Sequence, residues 1–185
     1  MVQNFNPEEE EVLELLRDNA EGKTPTTATA FPAIVDGIAS LWKLNRRHNR
    51  TWEPKFQEEA GKLLRRHGNR HGFTHYFRMY QKYSRRSTGD GFLNACQYRS
   101  KIQIIIDDFV PFADLMHPAD ADKLDVVDAL FTENADDIVP IPPGEIPWWV
   151  PESHWWWRVP TRHDWTEAEI NEKLYGYYEE DWDTP

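Results

Sequence analysis

Cysteine is nearly absent from the 185-residue chain, with Cys96 alone, which excludes an intrachain disulfide framework and any multi-cysteine zinc site. No run of about 18 apolar residues occurs, which excludes a membrane-spanning helix. The opening MVQNFNPEEEEVLELL is acidic and lacks the basic-then-apolar order of a secretory signal. The expected setting is intracellular: cytoplasmic, or nuclear in a eukaryote. There is no Gly-rich phosphate loop, no HExxH, no GxSxG and no DxDxDG loop. Hydrophobic residues are 39%, below the usual globular share, yet aromatics reach 14% and Trp alone numbers nine. The apolar content is therefore bulky rather than aliphatic. It suffices for one modest core and is too large for wholesale disorder.

Net charge is −11, and it is segregated. Residues 1–40 hold eight acids and two bases; residues 41–103 hold fifteen bases and four acids; residues 104–185 hold twenty acids and four bases. A basic block of this kind reads as a phosphate-binding surface or a docking site for acidic segments. The alternative is a salt-bridged globule in which the blocks of opposite sign face each other.

The chain reads as mostly α: a single helical domain of about five to seven helices over 1–137, followed by an extended Pro/Trp-rich acidic arm over 138–185. Asn6, Pro7 and Glu9 form a capping box and first turn for helix one, which Gly22 stops. The stretch KTPTTATA (23–30) reads as a linker. Ile34, Val35, Ile38, Leu41 and Trp42 repeat at helical spacing after Pro32. A third helix is predicted over 54–67, and Gly68 and Asn69 read as a tight break. A fourth helix over 70–86 places Phe73, Tyr76, Phe77, Met79, Tyr80 and Tyr83 on one half. Arg70, Arg78, Lys82, Arg85 and Arg86 lie on the other. The turn Thr88–Gly91 precedes a fifth helix over 92–110. Its Ile104-Ile105-Ile106 run is also compatible with a short strand, but the apolar period on both sides favours helix. A sixth helix is predicted over 119–132. Residues 138–160 contain six Pro and five Trp, which blocks helix and favours extended backbone. A short helix over 166–175, capped by Thr166 and Glu169, precedes an acidic aromatic tail.

The helix pair 54–67 and 70–86 has the outline of a helix-turn-helix, whose second helix would present basic side chains to DNA. The bland alternative is a helical hairpin with a solvated basic face. Arg46, Arg47, Arg50, Arg65, Arg66, Arg70, Arg78, Lys82, Arg85 and Arg86 are the candidate nucleic-acid contacts, because guanidinium geometry suits phosphate. His67, His71 and His75 are spaced by four, but a break after His67 would spoil a metal ladder, so they read as surface histidines. Asp107, Asp108, Asp114, Asp120, Asp122, Asp125 and Asp128 read as helix-end and solvated-face acids. Cys96, beside apolar residues, reads as core. No catalytic residue, metal or cofactor is expected.

Trp148, Trp149, Trp155, Trp156 and Trp157 are too many for a solvated linker, since each buried Å² of apolar surface contributes about 25 cal/mol. The segment must strap across its own helical domain or dock on a partner or second subunit, and Trp is typical of binding hot spots. Its acidic neighbours disfavour base stacking by this segment. The leading expectation is a non-enzymatic, helical nucleic-acid-associated protein with packaging, replication-accessory or regulatory use, its partner DNA or RNA. The alternatives are an assembly or adaptor protein that clamps a protein partner or forms a homo-oligomer through the arm, and a small enzyme of unnamed reaction. No membrane partner is expected.

Overall fold

A computed structural model describes residues 5–23, 27–85, 89–135, 138–141, 143–159 and 164–175. The described residues are all-α, with eight α-helices and no strand. None of these helices is long and apolar enough to cross a membrane. The helices are α1 (Pro7–Ala20), α2 (Thr27–Arg47), α3 (Pro54–Leu64), α4 (His67–Tyr83), α5 (Gly89–Asp108), α6 (Phe112–Leu115), α7 (Lys123–Glu133) and α8 (Glu167–Tyr175). Between α7 and α8 the described residues form short 3-10 turns, Pro143–Glu145 and Trp155–Arg158 among them.

The ends of α1 follow from its sequence. The Asn6 side chain accepts from the Glu9 amide at 2.8 Å, and Glu9 accepts from the Asn6 amide at 3.3 Å. Both satisfy donors that a helix start leaves orphaned. At the far end Gly22 takes φ +70°, and the Gly22 and Lys23 amides donate back to the Asn19 and Asp18 carbonyls. This is a Schellman stop, and glycine adopts its left-handed residue without steric cost. The Thr166–Glu169 pair starts α8 in the same way as Asn6–Glu9.

Helix α2 begins at Thr27, five residues before the expected start, and carries Pro32 inside it. Phe31 explains the extension. It is fully buried and packs edge-on against Phe73 and Tyr76, so residues ahead of the proline are drawn into the helix to deliver its ring. A Cβ at Gly72 would lie 2.6 Å from the Phe31 ring; the glycine makes room for it.

The predicted break at Gly68–Asn69 is displaced. The chain turns at Arg65–Arg66, and Gly68 and Asn69 lie in the first turn of α4. Gly68 is small because α4 meets the C-terminal end of α1: an added Cβ would collide with the Asn19 carbonyl oxygen. Backbone cannot step aside as a side chain can. Gly68→Ala is therefore expected to destabilise the fold by about 1–3 kcal/mol, read as a lowered urea midpoint; an unchanged midpoint refutes the packing role. In the same way Gly89, Asp90 and Gly91 open α5 rather than form a turn. Ile104–Ile106 are helical, as the apolar period predicts.

The contacts divide the chain into two compact units. One comprises residues 1–78 and 100–124. Leu13, Leu16, Phe31, Ile34, Phe56, Phe73, Phe77, Ile102 and Phe112 are among its buried core. The other comprises residues 79–99 and 125–185. Tyr80, Phe92, Cys96, Val127, Phe131, Trp149, Trp156 and Trp157 are among its buried residues. The aromatic half predicted for α4 is buried at Phe73, Tyr76, Phe77 and Tyr80.

Candidate nucleic-acid interface

The end of α2 positions the first basic group. Arg46 and Arg47 occupy its last turn, where positive charge faces the negative end of the helix dipole. Asn49 then takes φ 50°, and the Arg50 amide donates to the Asn45 carbonyl at 2.8 Å. Asn tolerates this left-handed residue better than most side chains. The turn brings Arg50 and Thr51 back beside α2 ahead of α3. Arg46, Arg47 and Arg50 are exposed.

The second basic group follows α3. Arg65 pairs with Asp114 at 3.2 Å and donates to the Gly61 carbonyl at 3.0 Å. Arg70 is half-buried and its Nη2 donates to the Met116 carbonyl at 2.6 Å. Those two expected phosphate contacts are therefore held by the protein itself. Arg66 is exposed. On α4, Arg78 and Lys82 are exposed one turn apart, and Arg85 is exposed in the turn beyond. Arg86 lies outside the described residues, as does the tail 177–185. Arg46, Arg47, Arg50, Arg66, Arg78, Lys82 and Arg85 have no carboxylate partner among the described residues.

Beside the first group lies a groove of about 360 Å³, lined by Trp42, Arg46, Arg50, Trp52, Gln57 and Asp108, among others. The Arg46 guanidinium sits 4.9 Å from the Trp42 ring centre, a favourable cation–π contact. Trp52 stacks on Phe56 and meets Phe109 edge-on, which fixes its indole. Its Nε1–H donates to Asp108 Oδ2 at 2.8 Å, and Gln57 donates to the Asp108 backbone carbonyl. The Trp42 side chain also hydrogen-bonds Asp108. Sequence reasoning found Arg46 and Arg50 but missed Trp42 and Trp52, and its reading of Asp108 as a helix-end or solvated-face acid is corrected by this half-buried position. The available signal was spacing: Trp42 lies one helical turn before Arg46, and Trp52 two residues after Arg50.

Burial raises the Asp108 carboxyl above its ordinary value of 3.8, against the lowering effect of the indole donors. The folded state then holds this proton more tightly than the unfolded chain does. Its contribution to stability is present below the ordinary value and is lost as pH rises through the raised one. Asp108→Asn removes that titration. The wild-type-minus-variant stability difference is expected to fall as pH is raised from 3.5 to 7, measured by urea unfolding. A difference that is flat or rises with pH contradicts the buried-carboxylate account.

His67, His71 and His75 share α4, because the helix begins at His67 rather than after Asn69. His71 and His75 approach through their Nε2 atoms at 3.2 Å. Burial, then His71 and Arg78, holds His75 below the usual histidine range. No group of three or more His, Cys, Asp or Glu residues arranged to hold a metal occurs among the described residues.

Asp128 departs from the solvated-face expectation. Both of its oxygens accept from Arg99, at 2.9–3.0 Å, and Oδ1 also accepts from the Tyr80 hydroxyl at 2.6 Å. Arg99 lies 4.3 Å from the ring centre of Trp156, and the Cys96 thiol faces the Trp156 carbonyl at 3.5 Å. Burial pushes the Cys96 thiol far above its usual range, which leaves it a core residue without thiolate character.

The tryptophans of the Pro-rich segment have unequal environments. Trp149, Trp156 and Trp157 are buried, with Trp149 edge-on to Trp157 and His154 stacked on Trp156. Trp148 is 64% exposed and Trp155 39% exposed. Comparison with protein families, with curated proteins and with solved structures finds no match for this chain.

Proposed function

We infer that the protein is a non-enzymatic nucleic-acid-associated protein that binds phosphate through exposed arginines. One observation carries this reading: among the described residues, seven of the exposed candidate basic side chains lack a carboxylate partner, in a chain with 32 acids for 21 bases. Carboxylates are in excess, so a fold that neutralised every base had the groups to do so. An exposed ion pair contributes only about 0–1 kcal/mol. Leaving these cations unpaired costs the fold little and keeps them for an external anion. Six of the seven are Arg, whose planar fork matches phosphate oxygens.

Binding of labelled single- and double-stranded oligonucleotides, followed by fluorescence anisotropy at two salt concentrations, tests the reading. Four phosphate contacts on a single strand correspond to about a 50-fold loss of affinity between 50 and 200 mM salt. Changing Arg46, Arg47 and Arg50 to Ala is expected to flatten that dependence, and so is changing Arg78, Lys82, Arg85 and Arg86. If binding survives both sets combined with the same salt slope, the reading is wrong.

A second reading, an assembly or adaptor role, is favoured by the exposed indoles of Trp148 and Trp155. Deleting 138–185 would also remove the buried Trp149, Trp156 and Trp157, so point changes are the cleaner test. Trp148→Ala with Trp155→Ala is expected to change the oligomeric state seen by light scattering while leaving the unfolding midpoint in place. An unchanged mass removes the support for homo-oligomerisation.

A further inference from the structure

We propose that the groove between the end of α2 and the start of α3 is a guanine-nucleotide site, which deepens the nucleic-acid reading above and rests on it. Its chemistry has three parts. Two indoles, Trp42 and Trp52, offer flat apolar surface, and Phe56 and Phe109 hold Trp52 in place. Arg46 and Arg50 stand on the same groove, exposed and without carboxylate partners among the described residues. Asp108 lines it as a half-buried carboxylate oriented by the indole donors.

Each part excludes ligands. The paired guanidiniums repel a cationic ligand. The Asp108 carboxylate repels a group that is only anionic, such as an acidic or a phosphotyrosine side chain, because neither side chain brings donors to it. The ligand that satisfies all three is flat, carries phosphate at one end, and presents N–H donors at the other. A carboxylate has about four acceptor positions, of which the two indoles take two. Guanine offers a matching pair of donors, N1–H and the 2-amino group, on its Watson–Crick edge, the edge by which unstacked bases are read. Adenine offers one donor beside an acceptor, which would face the carboxylate lone pairs. Uracil offers one donor between two carbonyls. The volume, about 360 Å³, is at the small end of ligand sites, which run from about 300 to 1,000 Å³, and suits one nucleotide. The base lies against the indoles, its donor edge meets Asp108, and Arg46 and Arg50 take the phosphate. The same moiety comes either as a free mononucleotide or as one exposed residue of a single strand.

The test uses the full chain and isothermal titration calorimetry with GMP, AMP and XMP. It adds oligothymidylates of eight residues that carry one central guanine or adenine. GMP is expected to bind at least 10-fold more tightly than AMP. Asp108→Asn presents a donor beside an acceptor, which matches xanthine instead. That variant is expected to lose at least 10-fold for GMP and to gain affinity for XMP, a gain that an unfolded variant cannot show. Arg46→Ala with Arg50→Ala should bring GMP down to the affinity of guanosine. If the guanine-bearing strand binds at least 10-fold more tightly than GMP, the source is a strand; if not, it is the free nucleotide. Equal binding of GMP and AMP overturns the proposal, as do unchanged selectivity in Asp108→Asn and equal competition by phosphotyrosine. Oligonucleotides that bind tightly with no preference between the guanine and adenine strands overturn the site but leave the general phosphate-binding reading standing.

Discussion

Arg99→Ala is expected to destabilise the protein by about 3–5 kcal/mol, the cost of stranding one partner of a buried ion pair. Arg99 is 5% exposed, and it supplies three hydrogen bonds at 2.9–3.0 Å to the Asp128 carboxylate. Without it, Asp128 keeps the Tyr80 hydroxyl, a neutral donor that cannot offset a charge held away from water. The loss also removes the cation over Trp156, so the indole forfeits that contact. Burial and the adjacent Asp128 charge hold the Tyr80 hydroxyl protonated far above the ordinary tyrosine range, so in the wild type it donates at every accessible pH. The triple change Tyr80→Phe, Arg99→Met and Asp128→Leu removes donor, cation and carboxylate together. It is expected to recover most of the lost stability, because the buried charge and its counter-charge go together. Urea unfolding followed by tryptophan fluorescence measures both effects. If Arg99→Ala lies within 1 kcal/mol of wild type, the pair does not constrain the fold.

The helix patterns were legible because they are local. Asn6, Pro7 and Glu9 fix the start of α1, and Thr166 and Glu169 fix that of α8, through atoms three residues apart. The aromatic half of α4 was legible for the same reason, since a helical face is a property of spacing alone. What was not legible depended on partners distant in the chain. Gly68 and Asn69 have turn composition, yet their small size and amide serve a contact with residues about fifty positions earlier. Asp128 looks like any other acid in α7 until Arg99, on α5, reaches it. The candidate site divides the same way. The exposed arginines follow from composition and helix phase, whereas Asp108 becomes a candidate only through Trp52, fifty-six residues away. The charge blocks predicted opposite faces without saying whether they meet. Among the described residues they meet at Arg65–Asp114, Arg99–Asp128 and Lys101–Asp36, while the arginines at the end of α2 have no carboxylate partner there.

Asn69→Ala is expected to cost about 3 kcal/mol, because each of three hydrogen bonds contributes about 1 kcal/mol net. The side chain is fully buried. Its Nδ2 donates to the Leu16 carbonyl at 2.9 Å and to the Leu63 carbonyl at 2.8 Å, and its Oδ1 accepts from Asn19 Nδ2 at 2.7 Å. One amide thus ties the C-terminal parts of α1 and α3 to the first turn of α4. Alanine has the better helix propensity, by less than about 0.7 kcal/mol, so propensity cannot offset the loss. Asn69→Asp is the sharper variant. It keeps shape and volume, and it keeps the acceptor for Asn19. It replaces the donor with an oxygen facing two carbonyls, so it is expected to be at least as damaging as alanine at pH 7. Lowering the pH toward the carboxyl range restores one donor and should narrow the gap to wild type, whereas Asn69→Ala should show no such recovery. Amide hydrogen exchange locates the effect: protection should fall first at the C-terminal turns of α1 and α3 and at the start of α4. If Asn69→Asp is as stable as wild type at pH 7, the junction is held by packing at Gly68, and the hydrogen-bonded amide does not determine it.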